Sequence, residues 1–296
     1  MNYRDYDALI TPARPSAGLL RLAFGLLVGT VVYTGLGIVV IAFGAGVMSG
    51  VYQRPDGIEM LLAADTPLAI NIWLYGFTAM IAALWLVMRL LHRRDLAGLI
   101  GEPALALRQF LKVSGAVILL NLVLVPLPVP NLLELTANLD LRRWAMVLPL
   151  AMAGLIVQVS AEELVFRGYL QSQLAARFAH PAIWLCGPAV LFGVLHYQTE
   201  TAGDNAWLLV VAATAFGLAA ADLTARAGTL GPAIALHFVN NFVAIMLIAN
   251  TGMLDGMALW RFDADLADNS TARTIVMLDL LLILCSWLAA RLVLRR

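Results

Sequence analysis

The segment LAFGLLVGTVVYTGLGIVVIAFGAGVMSGVYQ, residues 22–53, contains no Asp, Glu, Lys or Arg, and neither does the segment 66–88. Each is longer than the roughly 20 apolar residues that cross a bilayer as a helix. Over the whole chain, 61% of residues are hydrophobic and 13% are charged, against about 45–50% and about 25% in soluble domains. The sequence therefore predicts an all-α, polytopic integral membrane protein.

Runs of low charge along the chain predict about eight transmembrane helices, in a single transmembrane domain of residues 1–296. Their expected bounds are 22–48, 67–89, 111–130, 144–170, 182–203, 206–225, 230–250 and 274–292. The apolar run after residue 21 is too long for the core of a signal peptide, so we expect no cleaved signal. Cys186 and Cys285 stand singly in apolar runs and indicate no disulfide or redox site.

The segments between the predicted spans alternate in charge. Arginines such as Arg14, Arg93 and Arg94 fall in one set of segments, and acids such as Asp56 and Asp255 fall in the other. The positive-inside rule then predicts that both termini face the cytoplasm, and we expect the inner membrane of a bacterial cell. The lipid bilayer is the expected surroundings, and a net charge of zero gives no indication of a nucleic-acid partner.

The stretch SAEELVFRGYL, residues 160–170, brings three ionisable groups to the end of an apolar run. Glu163 and Arg167 are four residues apart, so they can neutralise each other along one helix. Glu162 has no such local partner. A lone carboxylate at this depth is costly unless it meets a polar group of another helix, water or a metal.

Two later segments supply polar groups at helical spacing. LFGVLHYQ, residues 191–198, places Phe192 and His196 four residues apart, and ALHFVNNFVAI, residues 235–245, does the same for His237 and Asn241. The turn RFAHPA, residues 177–182, makes the fourth and fifth predicted spans antiparallel neighbours and puts Glu162 level with His196. We expect these groups to share one site that opens toward the cytoplasm.

Several other polar residues have simpler interpretations. Asp222 and Arg226 are spaced as a structural ion pair, and His92 and His180 lie in basic segments where we expect exposure to solvent. Asp279, inside the last predicted span, has no evident partner, and its role stays open at this point.

The three segments EELVFR, FGVLH and HFVNN, in this order on successive helices, resemble the motifs of the CPBP family. This family comprises CAAX prenyl endopeptidases and bacteriocin-processing intramembrane proteases, and it is also called Abi. The resemblance covers about residues 144–250, which would form the catalytic core.

The resemblance implies roles for six residues. Glu162 would be the general base that activates water, assisted by His196, and His237 with Asn241 would stabilise the oxyanion. Glu163 and Arg167 would hold Glu162 in place. No cofactor is firmly expected, although Glu162, His196 and His237 could instead bind a tetrahedral Zn²⁺.

The resemblance predicts an intramembrane endopeptidase that acts on a membrane-associated protein or peptide. Two alternatives stay open: a transporter in which the Glu and His residues form a proton or ion relay, and a non-catalytic scaffold. The sequence gives no preference on oligomeric state or on whether the substrate is prenylated.

Overall fold

A computed structural model describes residues 3–124 and 134–295. It confirms the predicted fold class, because the described chain is dominated by helices. We number the long helices α1 to α8: Leu19–Tyr52, Pro67–His92, Pro103–Leu124, Leu141–Arg177, Pro181–Val194, Ala206–Ala227, Gly231–Leu247 and Asn269–Leu294. The predicted count of eight spans is not confirmed. Within the described ranges, six helices are long and apolar enough to cross a membrane, while α5 and α7 are shorter.

Two of the predicted spans differ from the helices. The fifth was expected to run over 182–203, but α5 ends at Val194, and the short helix Thr199–Ala202 precedes α6. The break lies at residues 195–198, which form a turn and carry no Asp, Glu, Lys or Arg. The third was expected over 111–130, but α3 begins at Pro103, where the Glu102 carboxylate accepts from the Ala104 and Leu105 amides. Residues 125–130 lie outside the described residues.

Loops from distant parts of the sequence meet on two faces of the bundle. We call residues 3–18, 93–102, 178–180 and 228–230 the terminal face, where the Leu230 amide donates to Ile100 O at 2.9 Å. We call residues 53–66, 134–140 and 248–268 the opposite face, where the Gly256 amide donates to Ala64 O at 3.1 Å. Helices α4, α6 and α8 all run from the opposite face to the terminal face.

Each face contains structure that the sequence did not predict. On the terminal face His92 is buried, not solvated as expected, and its ring nitrogens lie 2.9 Å from Ser16 Oγ and from Tyr169 Oη. On the opposite face a small sheet orders the strands Thr136–Ala137, Trp260–Phe262 and Ile248–Asn250. The first pair is antiparallel and the second parallel.

The centre of the bundle is built by close helix contacts around α4 and α6. Helix α4 packs against α2 and α7, and α6 packs against α5, α7 and α8. Gly217 of α6 touches α5 so closely that a β-carbon there would lie 3.0 Å from the Cα of Ala189. This packing brings α4, α5, α6 and α7 together at the depth where the polar motifs lie.

Candidate active site

Helix α4 changes its winding at the motif EELVFR. It begins at Leu141, where the Asp140 carboxylate accepts from the Arg142 and Arg143 amides, and it is a regular α-helix as far as Glu163. Residues Leu164–Gln171 are π-helical, with wider turns, before the regular helix resumes. Short π-helical segments inside α-helices are frequent at functional sites.

Glu163 and Arg167 form the buried ion pair that their spacing predicts. The Arg167 Nη1 donates to Glu163 Oε1 at 2.8 Å, and both side chains are almost fully buried. The second guanidinium nitrogen of Arg167 donates to Gly217 O at 3.3 Å, and its carbon lies 4.8 Å from the centre of the Phe192 ring. Arg167 therefore connects α4 with α5 and α6.

His237 lies between the two glutamates of the motif. Its Nδ1 lies 2.8 Å from Glu163 Oε1, and its Nε2 lies 3.4 Å from Glu162 Oε2. An ionised carboxylate can only accept, so Nδ1 carries a proton in the contact with Glu163. Glu162 thus has the partner on another helix that its position required. The buried pair Glu163–Arg167 holds His237, as well as the backbone beside Glu162.

His196 lies in the turn that follows α5. Its Nδ1 donates to Phe192 O at 2.8 Å, because a carbonyl oxygen only accepts. Its ring packs on Phe192 with 4.6 Å between the ring centres. In the neutral imidazole, Nε2 is then left as an acceptor. His196 lines the same cavity as Glu162 and His237, so the structure places the three residues around one space.

Asn241 is positioned by a residue that the sequence analysis missed. Its Nδ2 donates to the Oε1 of Gln158 at 3.0 Å. Gln158 is buried and lies one helical turn before Glu162, so both side chains are on one face of α4. This spacing, in an otherwise apolar run, is the signal that could have identified Gln158.

The six residues surround or support one cavity of about 720 Å³. Glu162, His196, His237 and Asn241 line it, whereas Glu163 and Arg167 lie behind its wall. The described lining reaches the opposite face at Leu61, Leu62, Met253 and Leu254. It contains no residue of the terminal face, where the expected cytoplasmic opening would lie. The cavity therefore extends from Glu162 toward the opposite face.

The positions of the candidate ligands bear on the suggested zinc site. Within residues 3–124 and 134–295, no group of three or more His, Cys, Asp and Glu side chains is arranged to hold a metal ion. Glu162 and His237 approach each other, but His196 does not complete a ligand set with them. A zinc requirement stays a prediction, and no reaction step below depends on it.

Fold and site together define a multi-pass helical membrane protein with a buried centre of two glutamates, an arginine and two histidines. In a comparison with known proteins, residues 143–243 match the family model described as type II CAAX prenyl endopeptidase Rce1-like. The match covers about a third of the 296 residues and confirms the predicted resemblance there. All six predicted site residues lie within it.

A bacterial protein is similar to part of the chain. The chain is 27% identical over 114 residues to the uncharacterized protein YyaK of Bacillus subtilis (strain 168). This alignment spans 38% of each of the two chains. No solved structure matches the chain.

Proposed function

We propose that the protein is an intramembrane endopeptidase that hydrolyses a peptide bond of a membrane-associated protein or peptide. One observation carries the proposal: Glu162 borders the cavity beside His237, and His237 in turn contacts Glu163 of the buried pair Glu163–Arg167. The family match over residues 143–243 supports this over a transporter or a silent scaffold.

Glu162 acts as general base in the proposed reaction. It takes one proton from a water molecule, and the resulting hydroxide attacks the carbonyl carbon of the scissile peptide. The C–N bond then breaks, and Glu162 passes the proton to the departing nitrogen. General base catalysis by a positioned side chain contributes typically about 10²–10⁴-fold. His196, with Nε2 free of the backbone contact, assists in orienting the water.

His237 and Asn241 stabilise the negative oxygen of the tetrahedral intermediate. An oxyanion needs donors, and the Nδ1–H of His237 already points to Glu163. His237 must therefore carry a second proton, on Nε2, when it acts in this way. Asn241 uses one N–H for Gln158 and has another to offer. A single such donor is worth about 3–4 kcal/mol in the barrier.

The test is cleavage of a quenched fluorescent peptide library by the purified protein in detergent. We expect Glu162→Gln and His196→Ala to lose at least about 10²-fold in kcat, whereas Glu59→Gln, at an exposed glutamate outside the cavity, keeps the activity. Activity that Glu162→Gln retains would overturn the proposal.

Metal dependence and the rival functions are separated by further arms of this experiment. Activity that a chelator abolishes and Zn²⁺ restores would assign Glu162, His196 and His237 as metal ligands. A protein without cleavage would be reconstituted in liposomes, where a proton or ion flux lost in Glu162→Gln indicates a transporter. Capture of a membrane partner that does not depend on Glu162 would instead indicate a scaffold.

A further inference from the structure

A second carboxylate lines the proposed substrate cavity, away from the motif residues. Asp279 and Ile283 lie one turn apart on α8 and both border the cavity, whose other lining residues include Glu162. Helix α8 lies outside the residues 143–243 that match the family. The family motifs therefore leave Asp279 without an assigned role.

Asp279 lies at nearly the same depth in the bundle as Glu162. The indole of Trp287 donates to Asp222 Oδ2 at 2.9 Å, and Arg167 donates to Gly217 O, so α4 and α8 can both be aligned with α6. The three helices are parallel, so residues the same number of positions before each contact lie at the same depth. Asp279 is eight residues before Trp287 and is therefore level with residue 214 of α6. Glu162 is five residues before Arg167 and is therefore level with residue 212. The difference is about two residues, or roughly 3 Å of helix rise.

Asp279 has no protein partner in the described chain. It makes no hydrogen bond or ion pair with any of the residues 3–124 and 134–295. A carboxylate within a membrane span is costly, and such residues usually pair with another group or mark a path for a substrate or ion.

The rest of the cavity favours a positive charge beside Asp279. Glu162 and Asp279 both line the cavity, whose described lining contains no lysine or arginine; its basic residues, His196 and His237, belong to the motif site. Five aromatic side chains also border it, and their ring faces attract cations: Tyr33, Trp73, Phe77, Phe192 and Phe216. A cationic group entering this space would find one carboxylate that is not engaged with the motif residues.

We propose that Asp279 is a specificity-determining residue that binds the positively charged side chain of a lysine or arginine in the substrate peptide. This rests on the proposed function in so far as the cavity is the substrate site. A cation held by Asp279 would fix one side chain of the peptide at the depth of Glu162. The preferred substrate is thus a basic peptide, and a neutral peptide of the same shape binds less well.

The test measures binding, so that it does not depend on hydrolysis. The Glu162→Gln protein is titrated with a dansyl-labelled, N-acetylated octapeptide of alanine and leucine that has one central lysine. The comparison peptide has glutamine in place of the lysine. We expect the lysine peptide to bind at least about tenfold more tightly. Adding Asp279→Asn should remove this preference, Asp279→Glu should keep it, and Asp279→Lys should reverse it toward a glutamate peptide.

The outcomes are distinct. Equal binding of the lysine and glutamine peptides, or a preference that Asp279→Asn retains, would overturn the proposal. A preference for a free amino terminus that is lost in Asp279→Asn would keep the site and make the terminal ammonium its cation. If wild type cleaves nothing but the Asp279-dependent preference is present, the proposed hydrolysis fails while the cation site stands.

Discussion

At the scale of single residues, the stability of the fold depends on the buried ion pair Glu163–Arg167. Arg167→Met would leave the Glu163 carboxylate buried with His237 as its remaining partner. Removing one member of a buried ion pair typically destabilises a protein by about 3–5 kcal/mol. We therefore expect a clear fall in the thermal unfolding midpoint in detergent.

Matched variants separate the effect of breaking the buried pair from the effect of replacing any arginine by methionine. Arg89→Met removes an exposed arginine whose distance to Asp95 is 3.5 Å, and we expect a change of about 0–1 kcal/mol. The double variant Glu163→Gln/Arg167→Met removes both charges and should be more stable than Arg167→Met alone. Equal stability of the single and double variants would contradict the argument.

Gln158 is expected to act on catalysis through Asn241. Gln158→Leu removes the oxygen that accepts from the Asn241 side-chain amide. The amide is then free to rotate, and its second N–H no longer points toward the oxyanion. We expect kcat to fall at least about tenfold with little change in KM, a part of the roughly 10²–10³-fold that losing an oxyanion donor costs. Gln158→Glu retains an acceptor oxygen and should restore most of kcat. If Gln158→Leu changed KM and left kcat unaltered, the result would argue against this positioning role.

Contacts between motif residues four positions apart could be predicted from the sequence because their spacing is local. Glu163–Arg167 and Phe192–His196 are contacts between residues four apart on one helix or its last turn, and such pairs follow from helix geometry alone. The sequence could not show that His237 Nδ1 faces Glu163, since this depends on how α7 packs against α4. The burial of His92 was missed for the same reason: Ser16, Tyr169 and Gln173 approach it from two other parts of the chain.

At the scale of helices, runs without charged residues predicted where the long helices lie in the sequence. They did not predict the residues at which α3 begins and α5 ends. Helix α5 ends at an uncharged turn, residues 195–198, and the start of α3 depends on a cap at Glu102. The π-helical segment Leu164–Gln171 has no signal in composition.

Asp268 makes the start of helix α8 sensitive to pH. Its carboxylate accepts from Ser270 Oγ at 2.6 Å and from the Thr271 amide at 2.8 Å, and these hydrogen bonds lower the pKa of Asp268 to about 2. The pKa is lower in the folded state than the model-peptide value of 3.8, so the stabilisation is present above about pH 4 and is lost as the pH falls through 2.

The measurement is the unfolding midpoint of wild type and Asp268→Asn in detergent at several pH values. Asparagine keeps the cap but cannot ionise. We expect wild type to be the more stable protein at pH 6 and the difference to shrink toward pH 2. Asp263→Asn, at an exposed aspartate of the same loop, should give no such trend. A difference that grows on acidification would show that the sign is wrong.

At the scale of the whole molecule, the charge pattern and the cavity together predict how the protein sits in its membrane. Most of the arginines lie toward the terminal face, and the positive-inside rule predicts that this face is the cytoplasmic one. The cavity extends toward the opposite face. A substrate would then reach Glu162 from the outer side of the inner membrane or from within the bilayer.

Cysteine labelling of intact cells tests this orientation. In a background with Cys186→Ala and Cys285→Ala, single cysteines replace two exposed threonines, Thr11 on the terminal face and Thr251 on the opposite face. We expect a membrane-impermeant maleimide to label Thr251→Cys in intact cells and to label Thr11→Cys after permeabilisation alone. The reverse pattern would place the opening of the cavity in the cytoplasm and the termini outside, because the fold fixes these two faces on opposite sides of the bundle.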